Sequence, residues 1–583
     1  MLVFNMSADP SDPLSEHRAD GHQVVVHTDE AFHTAHCRSE HASIGIGSLV
    51  LFGNARREDT DGRSTPISAL DLLRQWQREG TPAVSGLLGA FAVVFTDRAS
   101  GAVYMATDAF GSVALFYRAL PTGLHISTDP IRLTTLEGST ALHRDSLRDV
   151  FAIRLMAGAQ TLWESVHQVP AGWCIRWRSG QPTEEIPLWR FGFDTAPQPV
   201  GVGEAADEVV TALRLRLEEL RDSGVDRVAI PLSGGIDSSI LAALAKKIFP
   251  SCEPFTVSFP GFSNPELPRA SFVADRLGLR LRVIEVDHGC VARAFPVVLS
   301  QLAEPPRHFN NVAIISMLRA VAGDFGHVLA GDLIAPWGGG IMGKALRLEA
   351  RMRAIEAIPS AARQVLAPVL DTFPWNRAKA MSRLLRAPLA RHIQQTLELE
   401  RTPEADAFLA EADLPQGVSP NTVRFLFEGG LPAEVMQSIW GLRVLEGSIF
   451  RRNERLSRSV GIQYVYPFES HRLFRLARSL PLELRYDART RTAKPVLREV
   501  CNRLVGEDVT AFPKVGFASP EWEWIDGPLR DWHIASASAS SPVSSHFDID
   551  RLRALYGPQN KQTLYTFMGL HGVLSLATGR RAT

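Results

Sequence analysis

Ile230-Pro231-Leu232-Ser233-Gly234-Gly235-Ile236-Asp237-Ser238-Ser239 is the stretch on which the reading of this chain turns. A short apolar strand from Val228 ends at Leu232, and the two glycines after Ser233 allow a tight turn with backbone N–H groups pointing inward. A helix is predicted to start at Ser238 or Ser239. Strand, glycine turn and helix in that order build an anion nest at a helix N-terminus, suited to phosphate or pyrophosphate. Ser233, Ser238 and Ser239 add hydroxyl donors. A bare phosphate would repel the Asp237 carboxylate, so its presence implies a bridging Mg²⁺. The Gly-Lys-Ser/Thr ending of a P-loop is missing.

Outward from this turn, strands alternate with helical patterns. The spacing of Leu213, Leu217 and Leu220 predicts a helix running to about Arg221. Further strands are predicted at Phe255–Phe259, Leu281–Val286 and His327–Ala330, with helices such as Arg269–Leu277 between them. That alternation means a parallel sheet covered on both faces. Residues 343–413 read as a helical insertion, 418–505 as further helices, and the serine-rich run from Ser536 to Ser545 as a mobile loop.

Residues 40–190 read as mostly β, with short runs such as Ala90–Phe95, Val103–Ala106, Gly123–Ser127 and Trp173–Trp177 broken by turn residues. Residues 192–203, with two prolines and three glycines, read as a linker. A formal net charge of −1 supplies no positive field for nucleic acid. Five cysteines lack metal-ligand spacing or a disulfide framework, and the N-terminus lacks a basic signal-peptide start. No stretch approaches the ~18 apolar residues of a membrane span. The expectation is a soluble cytoplasmic protein without membrane or nucleic-acid partners.

Ser233–Ser239 resembles the pyrophosphate loop of the N-type ATP pyrophosphatases, and the surroundings resemble the glutamine-hydrolysing asparagine synthetase superfamily. In the first half, Gly89-Ala90-Phe91-Ala92, Asp108-Ala109-Phe110-Gly111, Phe116-Tyr117, Thr161–Glu164 and Val169–Gly172 are similar to its glutaminase-like domain. In the second half, Glu304-Pro305, Pro467-Phe468, Leu480-Pro481, Lys494–Arg498 and Lys514–Phe517 follow the family's order. The resemblance implies a multidomain α/β chain. An N-terminal glutaminase-like (Ntn-type) α+β sandwich, residues 1–195, would precede a parallel-sheet adenine nucleotide α-hydrolase-like synthetase domain, residues 204–583.

Departures from the family shape the functional expectation. Glutaminases of this kind use a cysteine at the mature N-terminus, whereas this chain reads Met1-Leu2 and has its first cysteine at Cys37. The first domain is therefore expected to be a relic, and the amine to come from a substrate. Two branches of the superfamily resemble that description, the β-lactam synthetases and the lasso peptide cyclases. The length of the insertion 343–413, which carries Arg347, Arg351, Arg353 and Arg363, together with the lost thiol favours a peptide. A lasso peptide cyclase would adenylate an Asp or Glu side chain of a ribosomal precursor peptide. It would then close a macrolactam on the peptide's own N-terminal amine, beside a leader peptidase. The alternatives are a small-molecule amide synthetase, of asparagine or β-lactam type, and a non-catalytic scaffold.

The resemblance also assigns roles. ATP would sit on Leu232, Ser233, Gly234, Gly235, Asp237, Ser238 and Ser239, with Val257 and Ser258 framing adenine, and with Gly331, Asp332 and Lys494 nearby. Asp237 and Asp332 would hold Mg²⁺. Lys514 is the expected catalytic lysine, and Glu304 and Tyr466 are candidates for handling the proton of the attacking amine, with Glu469 a further one. The family's second acidic pair after Asp332 is absent, and Gln463 and Val465 replace a Glu and an Arg, which counts against plain asparagine synthesis.

Overall fold

A computed structural model describes residues 15–19, 22–27, 39–44, 47–121, 123–136, 141–156, 158–189, 200–332, 335–339, 342–375, 378, 381–382, 385–386, 401–414, 417–422, 447–513 and 516–579. Lys514 of the expected site and the cysteine at 37 lie outside them.

The first half is two stacked sheets. One orders Ser15–Ala19, His22–His27, Gly123–Ser127, Phe116–Leu120 and His167–Gln168; the other orders Glu184–Pro187, Trp173–Trp177, Val103–Thr107, Phe91–Asp97, Gly47–Gly53 and Ser39–Ile44. Strand alternation sends Val94, Met105 and Ile175 into the layer between the sheets, where they meet Leu124 and Ile126. The opposite faces of Val93 and Phe95 bury against the helix Ala69–Glu79 through Leu72, Leu73 and Trp76. The Asp108 carboxylate staples the turn after Val103–Thr107. It accepts from the N–H groups of Phe91 (3.2 Å), Phe110 (2.9 Å) and Ser112 (3.0 Å).

The second half opens with helix α1 (Val202–Asp222), which starts inside the expected linker. It continues through strand β1 (Arg227–Pro231), α2 (Ile236–Ile248), β2 (Ser251–Ser258), α3 (Leu267–Leu277), β3 (Arg282–Glu285), α4 (His288–Leu302), α5 (Asn310–Val321) and β4 (His327–Leu329). Then come α6 (Met342–Glu356), α7 (Ser360–Asp371), α8 (Pro403–Glu411), α9 (Gly447–Arg458), β5 (Gln463–Val465), α10 (His471–Ser479), α11 (Pro495–Leu504) and α12 (Lys561–Ala577). The sheet order is β3-β2-β1-β4-β5, and every pairing is parallel. Val228, Ala229 and Ile230 on the central strand are fully buried, as expected for a strand covered on both faces. The order reverses between β1 and β4, the crevice where open α/β sheets bind ligands.

Three readings of the sequence need correction. Helix α2 begins at Ile236, not at Ser238 or Ser239, with Gly235 as its N-cap. Asp237 therefore sits in the first helical turn, where the helix dipole favours a carboxylate. The stretch expected to be helical throughout 418–505 contains strand β5, because Tyr464 and Val465 bury beside β4. Ser536–Ser545 is built rather than mobile. Ser536 is buried and bonds the His533 carbonyl at 2.7 Å, Ser541 lies 2.9 Å from His571 Nδ1 on α12, and Pro542–Ser545 form a 3-10 turn. Serine hydroxyls here close on nearby backbone and side-chain groups, an option that composition alone does not reveal.

The halves are fastened together by buried polar contacts. Gly89 N–H donates to Glu469 at 2.8 Å, and Arg56 stands 3.6 Å from the same carboxylate. The Asp149 carboxylate accepts from Ser419 N–H (2.6 Å), Ser419 Oγ (2.8 Å) and Thr422 Oγ1 (2.6 Å). No helix among the described residues is long and apolar enough to cross a membrane.

Candidate active site

A cavity of about 330 Å³ opens at the carboxyl ends of β1 and β4. On the β1 side its wall is Leu232, Ser233, Gly235, Asp237 and Ser238; on the β4 side it is Ala330, Gly331 and Asp332. The loop closes on itself. Ser233 Oγ lies 3.2 Å from Ser238 Oγ, and Ser238 Oγ donates to the Gly235 carbonyl at 3.2 Å. Gly234 has φ +69°, and a Cβ there would stand 2.5 Å from the backbone carbon of Arg269. Only glycine lets the loop pass this close to the start of α3. Gly331 has the same function opposite, since a Cβ on it would meet the Asp237 Cβ at 3.2 Å.

Asp237 is the electrostatic centre of the cavity. One carboxylate oxygen takes a 2.6 Å ion pair from Lys494 Nζ, and the other is buried without a hydrogen-bond partner. Lys494 holds a left-handed backbone (φ 59°, ψ 49°) as the N-cap of α11. That conformation costs a non-glycine residue roughly 1–2 kcal/mol. Here it directs the ammonium at the loop. Burial raises the Asp332 carboxyl to about 6; Arg452 pulls it down, Asp237 pushes it up and Lys494 pulls it down again.

An unpartnered carboxylate oxygen sharing a cavity with a second, half-buried carboxylate, beside a phosphate-shaped turn, suits a divalent cation with oxygen ligands. Among the described residues no group of three His, Cys, Asp or Glu is placed to hold a metal alone. Two carboxylates plus nucleotide oxygens are what Mg²⁺ ordinarily uses.

The deeper wall is apolar. Val257 and Phe255 on β2, with Ile314, Met317 and Leu318 on α5, offer a slot for a planar base, and Phe517 also lines the cavity. The Val257 carbonyl already accepts from Asn264 Nδ2 at 2.8 Å. Ser258, the neighbour of Val257, is not on the wall. Ser239 is wholly buried beneath the loop, its hydroxyl without a partner.

Glu304 and Tyr466 stand apart from this cavity. Glu304 is partly exposed, 3.8 Å from Arg451. Tyr466 is stacked on Phe450 at 3.8 Å and lines a smaller cavity between the two halves, together with Arg56, Glu454 and Glu469. Burial, chiefly, drives its phenol well above the ordinary range, so it keeps its proton at neutral pH.

Sequence reasoning missed, among other wall residues, Glu266, Arg452 and Asn453. Glu266 precedes α3, and burial raises its carboxyl to about 7 while Arg269 pulls it down. Arg452 and Asn453 come from α9. The turn Asn264-Pro265-Glu266, so soon after a strand end, is a signal that could have marked Glu266; α9 offers none that separates its arginines.

With this geometry in place, comparison with known proteins identifies the architecture. The asparagine synthase family model matches residues 205–577, and a glutamine amidotransferase domain model matches residues 64–188. The chain is 22% identical over 491 residues to asparagine synthetase [glutamine-hydrolyzing] 1 of Bacillus subtilis, covering 79% of this chain and 72% of that one. It is 26% identical over 502 residues to a putative asparagine synthetase [glutamine-hydrolyzing] of Mycobacterium bovis, covering 82% and 74%. An amidase, chyE, of Penicillium rubens is 23% identical over 507 residues, covering 78% and 73%. The protein is a carbon–nitrogen ligase that uses ATP and leaves AMP and pyrophosphate. Its fold, the loop from Ser233 to Ser239 and the extent of the match agree, and the chain belongs to the asparagine synthase family.

Proposed function

We propose that the acid and the amine joined by this ligase belong to one ribosomal peptide, in which an Asp or Glu side-chain carboxylate is adenylated and then captured by the peptide's own N-terminal amine. The observation that carries the reading is the exposed apolar surface on the stretch of chain that follows Asp332 of the cavity wall. The chain leaves Asp332 and enters α6 ten residues later, and α7 follows. On that segment Val365 (67%), Val369 (51%) and Trp375 (66%) are exposed, an apolar surface that suits a polypeptide better than a free amino acid.

Three of the four described cysteines support a substrate-borne amine. In the first half the described thiol is Cys174, buried within the sheet, where burial lifts it to about 12. In the second half Cys252 and Cys501 are raised to about 12 in the same way. Such thiols do not form thiolates near neutral pH.

In the proposed reaction, the loop from Ser233 to Ser239 holds the pyrophosphate end of ATP through backbone N–H groups and hydroxyls. The substrate carboxylate oxygen attacks the α-phosphorus and the bond to pyrophosphate breaks, leaving an acyl-adenylate. The amine nitrogen then attacks the acyl carbon, loses a proton and expels AMP. Lys494 keeps Asp237 oriented toward the phosphates. Asp237 and Asp332 would hold Mg²⁺, which when bound offsets phosphate charge. Lys514 retains its proposed role in stabilising the adenylate and the tetrahedral intermediate. Of the proton acceptors, Glu304 is preferred over Tyr466, whose phenol holds its proton, and over Glu469, which is committed to Arg56 and Gly89.

Pyrophosphate release is the test. The purified chain is given ATP with a peptide bearing a free N-terminus and an internal Asp or Glu, or with free aspartate and ammonium. Release that requires the peptide, with a product lighter by one water, supports the proposal. Turnover of aspartate and ammonium instead assigns a small-molecule amide synthetase, and the peptide reading is then abandoned. Partnership with a leader peptidase belongs to the same proposal, and is tested by whether uncleaved precursor is inert until the protease is added.

A further inference from the structure

The turn between β2 and α3 brings to the cavity wall a carboxylate that the proposed reaction leaves unused. β2 ends at Ser258, and Glu266 is the residue before α3. Two hydrogen bonds tie this turn back to the strand. Glu266 N–H donates to Asn264 Oδ1 at 3.0 Å, and Asn264 Nδ2 donates to the Val257 carbonyl at 2.8 Å. Asn264 is itself buried. Glu266 is thereby fixed through one side chain to Val257, on the wall of the slot suited to a planar base.

The Glu266 side chain has no partner of its own. It is only 9% exposed, yet among the described residues it makes no hydrogen bond or ion pair, and as N-cap of α3 it makes no capping bond. Arg269 is the cation that acts on it, and Arg269 is engaged elsewhere. Its Nη1 donates to the Pro513 carbonyl at 2.5 Å, and its guanidinium lies 5.5 Å from the centre of the Phe512 ring. The Glu266 oxygens are not among the side-chain atoms sealed in protein, and the space that the residue lines is the ATP cavity. A carboxylate buried without a donor is destabilising, and a donor on the ligand removes that penalty.

The position narrows what that donor can be. Phosphate oxygens would repel the carboxylate. The metal-holding pair lies elsewhere: β1 stands between β2, which leads to Glu266, and β4, which leads to Asp332. Two strand spacings separate β2 from β4, about 10 Å. Asp332 responds to Arg452, Asp237 and Lys494, whereas Glu266 responds to Arg269 and to neither acid. Its neighbours on the wall, Phe255, Val257 and Phe517, are apolar. That is the nucleoside end of the cavity.

We propose that Glu266 reads the nucleoside of ATP, its carboxylate accepting a hydrogen bond from a neutral donor there, either a ribose hydroxyl or the 6-amino group of the base. A 6-oxo base would set acceptor against acceptor, so the second source would also exclude GTP. The proposal rests on the use of ATP and is independent of the peptide reading.

The test is calorimetric titration of the full chain with Mg²⁺ and no acid or amine. The probes are ATP, 2′-deoxy-ATP, 3′-deoxy-ATP, purine riboside triphosphate and pyrophosphate. Wild type should bind at least one of the three analogues about tenfold more weakly than ATP. A weak deoxy analogue assigns the ribose; a weak purine riboside analogue, which lacks the amino group, assigns the base. Glu266→Ala should bind ATP no better than that analogue while holding pyrophosphate as wild type does. Glu266→Gln, which keeps an acceptor, should retain part of the discrimination. Wild type that binds all four triphosphates alike overturns the proposal. So does unchanged ATP affinity in Glu266→Ala, which would leave the carboxylate to the incoming amine. An equal loss of ATP, analogues and pyrophosphate in Glu266→Gln also overturns it, since Glu266 would then only support the turn. Because binding alone is read, peptides that fail to release pyrophosphate would remove the macrolactam reading without altering this result.

Discussion

Two groups of arginines in this molecule are alike in burial and opposite in what surrounds them. At the junction of the halves, Arg56 lies 3.6 Å from Glu469 and Arg216 lies 3.2 Å from Glu219. The remaining capacity of those carboxylates is filled by Gly89 N–H at 2.8 Å and by Ser64 N–H and Oγ, both at 2.8 Å. Around His308, the guanidiniums of Arg154, Arg307 and Arg452 have carbonyl and hydroxyl partners but no carboxylate among the described residues. A buried charge matched within the chain fastens the structure. Those without a carboxylate contact are held by neutral groups of the chain instead.

The largest expected effect falls on the matched group. Glu469→Ala would leave Arg56 buried without its counter-charge and Gly89 N–H without an acceptor, a loss of about 3–5 kcal/mol. Urea unfolding measures it; a change within half a kcal/mol would mean that the junction is not a fastening. Next comes the cavity itself. Asp237→Asn should lower pyrophosphate release by about 10²–10³-fold, and retained turnover would remove Asp237 from the proposed site.

Gly234→Ala should cost about 1–3 kcal/mol from the strained backbone, with further loss from contact with the start of α3. A variant as stable and active as wild type would mean that the loop does not need this close approach. The smallest effect concerns Asp332. Its folded value, about 6, lies above the ordinary ~3.9 of an unfolded chain. The folded state thus holds the proton more tightly, and the stability from it is complete below pH ~4 and lost as pH rises through 6. Asp332→Asn should therefore melt at a higher temperature than wild type at pH 7.5 and at a similar temperature at pH 4. The opposite ordering would place Asp332 among the matched charges.

What the sequence made legible follows from the range of the signal. The loop was readable because its strand, glycines, serines and helix are contiguous, and the parallel strands because each is a short apolar run. The helix start was misplaced by two or three residues, since Ile236 and Asp237 suit a loop or a first turn equally. Glu266 and Arg452 were not readable as neighbours of the site. They reach it from the turn before α3 and from α9, and an arginine in an arginine-rich helix looks the same whether it meets solvent, a carboxylate or a cavity. Gln463 and Val465 stood out as departures in sequence, and β5 carries them as the edge strand beside β4.

The Asp149 clasp on Ser419 and Thr422 bears on how this molecule could be divided. A cut at the proline-bearing connection before α1 would separate two lengths of polypeptide but not two self-sufficient modules. The first would keep a carboxylate prepared for three donors it no longer had, and the second would lose the anchor of residues 417–422. Exchanging the first half for that of a relative would succeed to the extent that the newcomer restored this clasp. Interchangeability is thus a property of the seam, and the seam is where a hybrid enzyme would first come apart.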